Sequence, residues 1–257
     1  MAERFPLWTP TCKRFVAFMD IIGFKDMVFR KNHDEVKKIL DSFQHPIGVV
    51  EREAHKRLAL QGKEMATQES VMGDSIVRPV FFSDSIIFVS SDDSLSSAYR
   101  LLWSTEFLVG YALVSGIPIK GAIAHGEQTA DFDKSIHFGK PLIDAYELQE
   151  ELLLYGVVLH HTMEQHLIDN GMMAQFEDSD LFKWPTPMQD GKISHYLIDW
   201  SQYRPASQKP EAITLGLYRT VSGSPRRYVD NTLEFIDWLA KRKHEVLQSV
   251  PIAINKV

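Results

Sequence analysis

The sequence predicts an α+β fold whose core has the ferredoxin-like order βαββαβ, followed by a C-terminal α/β extension. Two observations support this prediction. Apolar runs rich in β-branched and aromatic residues alternate with segments whose apolar residues recur at helical spacing. One long strand-like run has an aspartate at its centre, which suits a hairpin and supplies the adjacent second and third strands of that order.

The first elements follow from apolar patterning and local stop signals. A buried strand is predicted over 14–19; it ends at Asp20, where Gly23 permits a tight turn. A helix over 34–53 follows, with Asn32 as its N-cap, because its apolar residues recur at helical spacing.

The rest of the core follows a polar interval. The segment 54–75 is weakly patterned, and we expect a mobile loop or a frayed helix there. The run 77–89 predicts a strand, or a hairpin with Asp84 at its turn. A helix over 94–115, ended by a Gly-Ile-Pro sequence, and a strand over 119–125 complete the βαββαβ order.

The extension continues the α/β pattern. Its elements are two helices over 142–153 and 162–170, two strands over 155–159 and 194–200, and a terminal amphipathic helix over 228–246. The proline-rich sequence 183–187 is expected to be a loop within one domain.

Composition excludes several classes of protein. The formal net charge is −6, so the chain lacks the basic footprint that salt-dependent binding to nucleic acid needs. The single cysteine, Cys12, excludes an internal disulfide framework and a multi-cysteine zinc site. Neither a signal peptide nor a membrane-spanning run is visible, and we expect a cytoplasmic protein without a membrane partner.

Two aspartates lie inside apolar runs, Asp20 within 15–24 and Asp84 within 80–89. An ionised carboxylate among apolar side chains is costly unless a cation or hydrogen-bond donors compensate it. Two such residues on adjacent strands predict a shared metal site, and hard oxygen ligands suit Mg²⁺ or Mn²⁺. Structural burial of both carboxylates is the alternative.

Three sequence blocks, in this order, resemble class III nucleotide cyclases, the family of adenylate and guanylate cyclase catalytic domains. The block 18–24 resembles the first metal motif, an Asp-Ile followed by Gly-Phe, and 82–85 resembles the second. The block 116–126 resembles the strand that follows in the family.

The resemblance implies a domain organisation. It covers roughly residues 14–200, so we expect a nucleotide cyclase-like domain over 13–200. Residues 1–12 would be an irregular lead, and 201–257 a C-terminal extension whose terminal helix packs on the core. The resemblance also implies a homodimer, because active sites in the family form between two protomers.

The sequence differs from purine cyclases at positions that contact the nucleotide in that group, and these differences indicate which members of the family it resembles most. Apolar residues 80–82 replace a base-reading lysine, and 141–147 lacks the Asn and Arg of the late helix. The chain is more similar to the small bacterial pyrimidine cyclases of Pycsar anti-phage defence, in its short second motif 82–84 and in Lys120 on the next strand. This implies UTP or CTP as substrate and a separate effector that senses the cyclic nucleotide.

The resemblance also implies roles for individual residues. Asp20, Asp84 and the Ile21 carbonyl would bind two divalent ions, Mn²⁺ or Mg²⁺, and Lys120 would join the two aspartates as a catalytic residue facing the phosphates. The backbone after the first aspartate would hold phosphates, and the residues around the second would shape the base pocket. The predicted substrate-binding residues are Ile22, Gly23, Phe24, Val80, Phe82, Ser83 and Ser85.

We therefore expect a cyclase that converts UTP or CTP into a 3′,5′-cyclic monophosphate and pyrophosphate, as a second-messenger signal in anti-phage defence. One alternative is a catalytically degenerate cyclase fold that binds a nucleotide or a protein. A palm-type nucleotidyl transferase, with a linear or dinucleotide product, is the other.

The histidines are expected to be structural. His125 is predicted to be a core or turn residue. His160, His161 and His166 are predicted to lie on a solvated surface, because no acidic or cysteine partner in the sequence completes a metal motif with them.

Overall fold

The computed structural model of the protein describes residues 8–43, 77–219 and 221–249. The predicted loop over 54–75 and the part of the first predicted helix over 44–53 lie outside the described residues. The described elements are β1 (Thr11–Ile21), α1 (Phe24–Arg30), α2 (His33–Ser42), β2 (Val77–Phe82), β3 (Ser85–Ser90), α3 (Leu95–Val114), β4 (Ile119–Asp131), β5 (Ile136–Gly139), α4 (Lys140–Glu151), β6 (Gly156–Leu159), α5 (His161–Asp169), β7 (Leu181–Met188), β8 (Gly191–Ile198), α6 (Pro210–Leu217) and α7 (Arg226–Ser249).

The strands form one mixed sheet in the order β2-β3-β1-β4-β6-β8-β7, and β5 pairs with β4 outside this path. Strands β1 to β4 are antiparallel to one another where they pair. Strand β6 pairs with β4 in the parallel direction. Together with the intervening helices, these four strands have the ferredoxin-like arrangement. The predicted α+β class is therefore confirmed.

Strand β1 lies between β3 and β4, with packed layers on both faces. Phe15, Ala17 and Met19 belong to the main core, which includes the buried side of α3. Val16 and Phe18 point to the other face, where α4 packs. This double burial explains why the apolar run of β1 is continuous rather than alternating.

Side-chain caps mark the starts of α2 and α3. Asn32 accepts a hydrogen bond from the Glu35 N–H, and the Glu35 carboxylate accepts one from the Asn32 N–H, a complete capping box for α2. The predicted N-cap is therefore confirmed. Ser94 caps α3 by accepting a hydrogen bond from the Ser97 N–H.

The prediction of a loop over 183–187 is wrong, because these residues lie within β7. Strand β7 is at one edge of the described sheet and pairs with β8, apart from isolated bridges at its two ends, so Pro185 and Pro187 remove no hydrogen bond from a central ladder. The opposite edge strand, β2, also contains a proline, Pro79.

Other segments also differ from the sequence-based expectation. Strand β1 begins at Thr11, inside the segment expected to be an irregular lead. Helices α1 and α6 were not predicted as elements; α1 has only seven residues, too few for its apolar periodicity to distinguish it from a loop.

The C-terminal helix packs on the sheet. Phe235 and Trp238 of α7 contact the aromatic residues of β7. The domain limits at residues 13 and 200 stay a prediction. None of the described helices combines the length and the apolar character that a bilayer span requires.

A glycine on β4 tests how closely the central strands approach. A Cβ at Gly121 would lie 2.6 Å from the carbonyl oxygen of Phe18, so we expect Gly121→Ala to lower the free energy of unfolding by about 1 to 3 kcal/mol. Gly216→Ala is the matched control, because no atom lies within 4 Å of its added Cβ. Urea unfolding of both variants measures the difference, and equal midpoints would contradict the close approach.

Candidate active site

Four antiparallel strands place four side chains in one row across the sheet. Asp20 on β1 lies opposite Ser85 on β3 and Lys120 on β4. Ser85 in turn lies opposite Phe82 on β2. Directly opposed residues of antiparallel strands point to the same face. This row, which we call the Asp20 row, therefore lies on the face opposite α3.

The hairpin between β2 and β3 brings Asp84 to the same end of the sheet. Ser83 and Asp84 form its two-residue turn, and Ser83 has a φ of 56°, in the left-handed region that such turns need. The Ile21 N–H donates a hydrogen bond of 3.0 Å to the Asp84 carbonyl. This bond fixes the hairpin turn beside the end of β1, next to Asp20.

Burial and a like charge perturb Asp20. The pKa of the Asp20 carboxyl is raised from its ordinary value of 3.8 to about 6, chiefly by burial. The nearby Asp84 carboxylate contributes to this rise, as does Glu150 to a smaller extent, while the Lys120 ammonium opposes it. The two aspartates are thus close enough to repel each other, and a bound cation would relieve both the repulsion and the desolvation.

The donor set fits a hard divalent cation. Two carboxylates supply oxygen ligands, which Mg²⁺ and Mn²⁺ prefer to nitrogen or sulfur. Ile21 follows Asp20 directly in the sequence, and its N–H bonds the Asp84 carbonyl. Its role as a third ligand stays a prediction.

Lys120 is positioned by groups that the sequence did not reveal. Its side chain is only 6 % exposed, and its ammonium donates a hydrogen bond of 3.2 Å to the Glu150 carbonyl at the end of α4. The ammonium also lies 5.9 Å from the centre of the Tyr228 ring on α7. Burial lowers the Lys120 pKa, and the carboxylates of Glu150 and Asp20 oppose this shift.

The loop after β1 was predicted to bind phosphates through its backbone N–H groups, and the structure agrees with this role only in part. The Ile22 N–H donates to the Pro118 carbonyl at 2.9 Å, so it is already engaged rather than directed at a phosphate. Gly23 has a φ of 78° and precedes the first residue of α1, Phe24. The phosphate contacts proposed for Gly23 and Phe24 stay predictions.

A cavity of about 870 Å³ opens beside this loop, at Gly23. Its lining includes three basic residues, Arg30, Lys31 and Lys38, against one acidic residue, Asp26. None of the predicted metal ligands lines it. The cavity therefore adds positive charge next to the loop but is separate from the Asp20 row.

The predicted base-pocket residues on the strands β2 and β3 share the face that carries Asp20. Val80 lies opposite Ile87, which lies opposite Phe18, so an apolar row runs beside the Asp20 row on the same face. Phe82 is 77 % exposed at the hairpin. Phe81 points to the other face and packs against the main core, so within 80–82 only Val80 and Phe82 can contact a ligand near Asp20.

The histidines depart from expectation at two places. His166 meets His125 and the carboxylate of Asp93, so the expectation that no acidic partner joins these histidines is wrong. His160 is half-buried rather than on a solvated surface: it caps α5 by accepting a hydrogen bond from the Thr162 N–H, and its Nδ1 lies 3.9 Å from Asp144 Oδ2. His161 is exposed, as predicted. Asp93 lies far from His125 and His166 in sequence, so spacing gave no signal.

No protein-family model matches the sequence, and no curated protein sequence matches it. Similar solved structures are nucleotide cyclase domains. The monomeric guanylyl cyclase domain of the RhoGC fusion protein from the aquatic fungus Blastocladiella emersonii is 14 % identical, with a TM-score of 0.48, over 74 % of this chain and 98 % of that domain.

Two further solved structures are of the same kind. The catalytic core of a rhodopsin-guanylyl cyclase with converted specificity, in complex with ATPαS, is 12 % identical with a TM-score of 0.47, over 74 % of this chain and 98 % of that one. A bacterial light-regulated adenylyl cyclase is 12 % identical with a TM-score of 0.46, over 83 % of this chain and all of that one. The finer resemblance to pyrimidine cyclases stays a prediction.

The raised pKa of Asp20 predicts a pH-dependent cost in the absence of divalent ions. The folded state binds the Asp20 proton more tightly than the unfolded state, so stability falls as the pH rises from 3.8 to about 6. Asp20→Asn removes this cost. In EDTA at pH 7.5 we expect the variant to be more stable by about 1 to 2 kcal/mol, a value reduced for partial exposure.

The measurement is urea unfolding in EDTA between pH 4 and 8, where the advantage of Asp20→Asn should shrink toward pH 4. Asp26→Asn is the matched control, because Asp26 is exposed and forms only a 3.8 Å surface pair with Arg30. A variant less stable than the parent protein at pH 7.5 would contradict the assignment.

Proposed function

We propose that this protein is a divalent-metal-dependent nucleotide cyclase of the class III type that converts a pyrimidine nucleoside triphosphate, UTP or CTP, into a 3′,5′-cyclic monophosphate and pyrophosphate. One observation carries the proposal. Asp20 and Asp84 lie together at the end of neighbouring strands, and the desolvated Asp20 has Lys120 opposite it in the same row.

The reaction requires the protein to position the ribose 3′-oxygen against the α-phosphorus and to neutralise the negative charge of the phosphates. The ribose 3′-oxygen forms a bond to the α-phosphorus, the bond from that phosphorus to the pyrophosphate oxygen breaks, and the hydroxyl proton leaves. Bound divalent ions would supply charge that favours the 3′-alkoxide and the phosphates. Asp20 and Asp84 would hold these ions through carboxylate oxygens, as the donor set allows.

Lys120 would add a fixed positive charge. The Glu150 carbonyl and the Tyr228 ring hold its ammonium on the face that carries Asp20. A preorganised charge stabilises a phosphorane-like transition state without reorganisation during the reaction. The basic cavity beside Gly23 would add favourable potential for the triphosphate.

The pyrimidine preference rests on the apolar row beside Asp20. Val80, Ile87 and Phe18 present no charged donor to a base, where purine cyclases have a lysine. A pocket walled by apolar side chains selects by size and shape, which favours the smaller base. Ser83 and Ser85 are the nearest polar side chains on the hairpin for base or ribose contacts.

We further propose that the enzyme acts as a homodimer in the cytoplasm. Phe82 and Tyr146 are 77 % and 47 % exposed, and both belong to the Asp20 face, since Tyr146 packs against Phe18. A second copy would cover this apolar surface and complete the site. The product would be a second messenger, sensed by a separate effector in anti-phage defence.

A nucleotide-binding module without turnover is the second candidate. The absence of an Asn and an Arg from 141–147 favours it, because α4 then offers no ribose or transition-state contact of the purine cyclase kind. Only product formation separates the two candidates, since both would bind nucleotide and metal.

Turnover of ATP, GTP, CTP and UTP with Mn²⁺ tests the proposal. We expect a cyclic pyrimidine monophosphate and pyrophosphate, and a loss of at least about 100-fold in kcat for Asp84→Asn, because one metal ligand is lost. Asp190→Asn should keep full activity, because Asp190 is exposed in the turn between β7 and β8 at the far edge of the described sheet. Binding without product would establish the second candidate, a purine preference would overturn the base assignment, and a linear or dinucleotide product would indicate a transferase.

Lys120→Gln tests the fixed charge separately. We expect kcat to fall by about 10- to 100-fold with a smaller change in KM, because the charge acts mainly on the transition state. Lys183→Gln is the matched control, an exposed lysine on the distant edge strand β7. Steady-state kinetics with the best substrate give both constants, and an unchanged kcat would remove Lys120 from the mechanism.

A further inference from the structure

A second cluster of titratable side chains lies on the opposite face of the sheet. Asp93 in the loop before α3, His125 on β4 and His166 on α5 each offer one ligand atom, and these atoms lie within 4.8 Å of one another. We call these three residues the His-Asp cluster. Three separate elements of the fold thus converge on one point.

The cluster is already organised around the Asp93 carboxylate. The Nε2 atom of His125 lies 3.1 Å from Asp93 Oδ2, and the Nε2 atom of His166 lies 3.0 Å from the Asp93 carbonyl oxygen. The two imidazole rings are 3.9 Å apart between centroids. Both pack against the buried ring of Phe15, which limits their rotation.

The carboxylate of Asp93 is not needed for the start of α3. The neighbouring Asp92 accepts hydrogen bonds from the hydroxyls of Ser94 and Ser97 and from the Ser94 N–H. Asp92 therefore completes the turn at the helix start, and Asp93 is directed at His125 instead.

The ligand types favour a transition metal over Mg²⁺. Two imidazole nitrogens and one carboxylate oxygen suit Zn²⁺, whereas Mg²⁺ prefers oxygen ligands alone. Burial lowers the pKa of His125, which favours the neutral imidazole that metal binding requires. The 3.1 Å separation of His125 and Asp93 is close to the ligand spacing of about 3.3 Å in a tetrahedral zinc site.

The cluster is separate from the Asp20 row. His125 is five residues beyond Lys120 on β4, which places it on the other face and about 16 Å further along the strand. The Asp93 side chain is 34 % exposed, so an ion can enter from solvent and a water can complete the coordination.

We propose that Asp93, His125 and His166 form a structural binding site for a divalent transition-metal ion, with Zn²⁺ as the best match. The ion would link the start of α3 and the helix α5 to strand β4 through these three side chains. This site is independent of the nucleotide chemistry proposed above, and its metal would differ from the Mg²⁺ or Mn²⁺ of the Asp20 row.

Zinc binding to the full chain tests the proposal, in an Asp20→Asn, Asp84→Asn background that weakens the other candidate metal site. Competition with a chromophoric chelator should give one Zn²⁺ per chain. His166→Gln should weaken this binding by at least about 100-fold, because a direct ligand is lost. His161→Gln should leave it unchanged, since His161 is exposed on the same helix.

Two further measurements keep the test decisive if His166→Gln folds poorly. Asp93→Asn should also weaken zinc binding, and zinc should raise the melting temperature of the His161→Gln control but not of Asp93→Asn. X-ray absorption at the zinc edge should show two imidazoles with oxygen ligands. No bound zinc, equal binding by His166→Gln and His161→Gln, or an all-oxygen shell would overturn the site, leaving the cluster as a hydrogen-bonded contact alone.

Discussion

The candidate active site depends on the register of β1 against its two neighbours. Eleven consecutive residue pairs join β1 to β4, and this register alone sets Lys120 opposite Asp20. A slip of one residue would turn Asp20 into the main core and bring Met19 to the reactive face. The close approach at Gly121, beside Lys120, and the burial of β1 on both sides make such a slip costly, so packing next to the site maintains its register.

The half-buried carboxylate of Asp20 lowers the stability of the ion-free protein, and a bound cation would restore it. Asp20 is desolvated beside a like charge, so the protein without ions is less stable at neutral pH than its apolar core would allow. A cation that binds only the folded state would recover this loss and add the free energy of its own binding. Stability and function are thus coupled at Asp20, which is common where charged groups are held ready for chemistry.

The sequence was most informative where local rules decide structure. The continuous apolar run of β1, the capping sequence at Asn32 and the aspartate in the hairpin turn all express rules that act within a few residues. Strand β7 was not predicted because two prolines in a short segment usually indicate a loop. An edge strand tolerates prolines, but whether a strand lies at an edge depends on the whole sheet and not on the local sequence.

The residues of the candidate sites were likewise predictable only where the local sequence carries a signal. Asp20 and Asp84 stand out in sequence because each interrupts an apolar run. The Glu150 carbonyl that holds Lys120 gives no such signal, since α4 is an ordinary amphipathic helix and backbone groups carry no sequence pattern. His125 and His166 are likewise joined only by the way α5 packs on β4, and Asp93 reaches them from the loop before α3.

The prolines at the two edges of the sheet have a consequence for self-association. Pro79 lies on β2 and Pro185 and Pro187 lie on β7, so each outer strand lacks backbone donors that an incoming strand would need. The described sheet is therefore poorly suited to grow by strand addition, which is the route to fibrous aggregates. Any association between copies of this chain would therefore have to use side chains rather than the backbone edges of the described sheet.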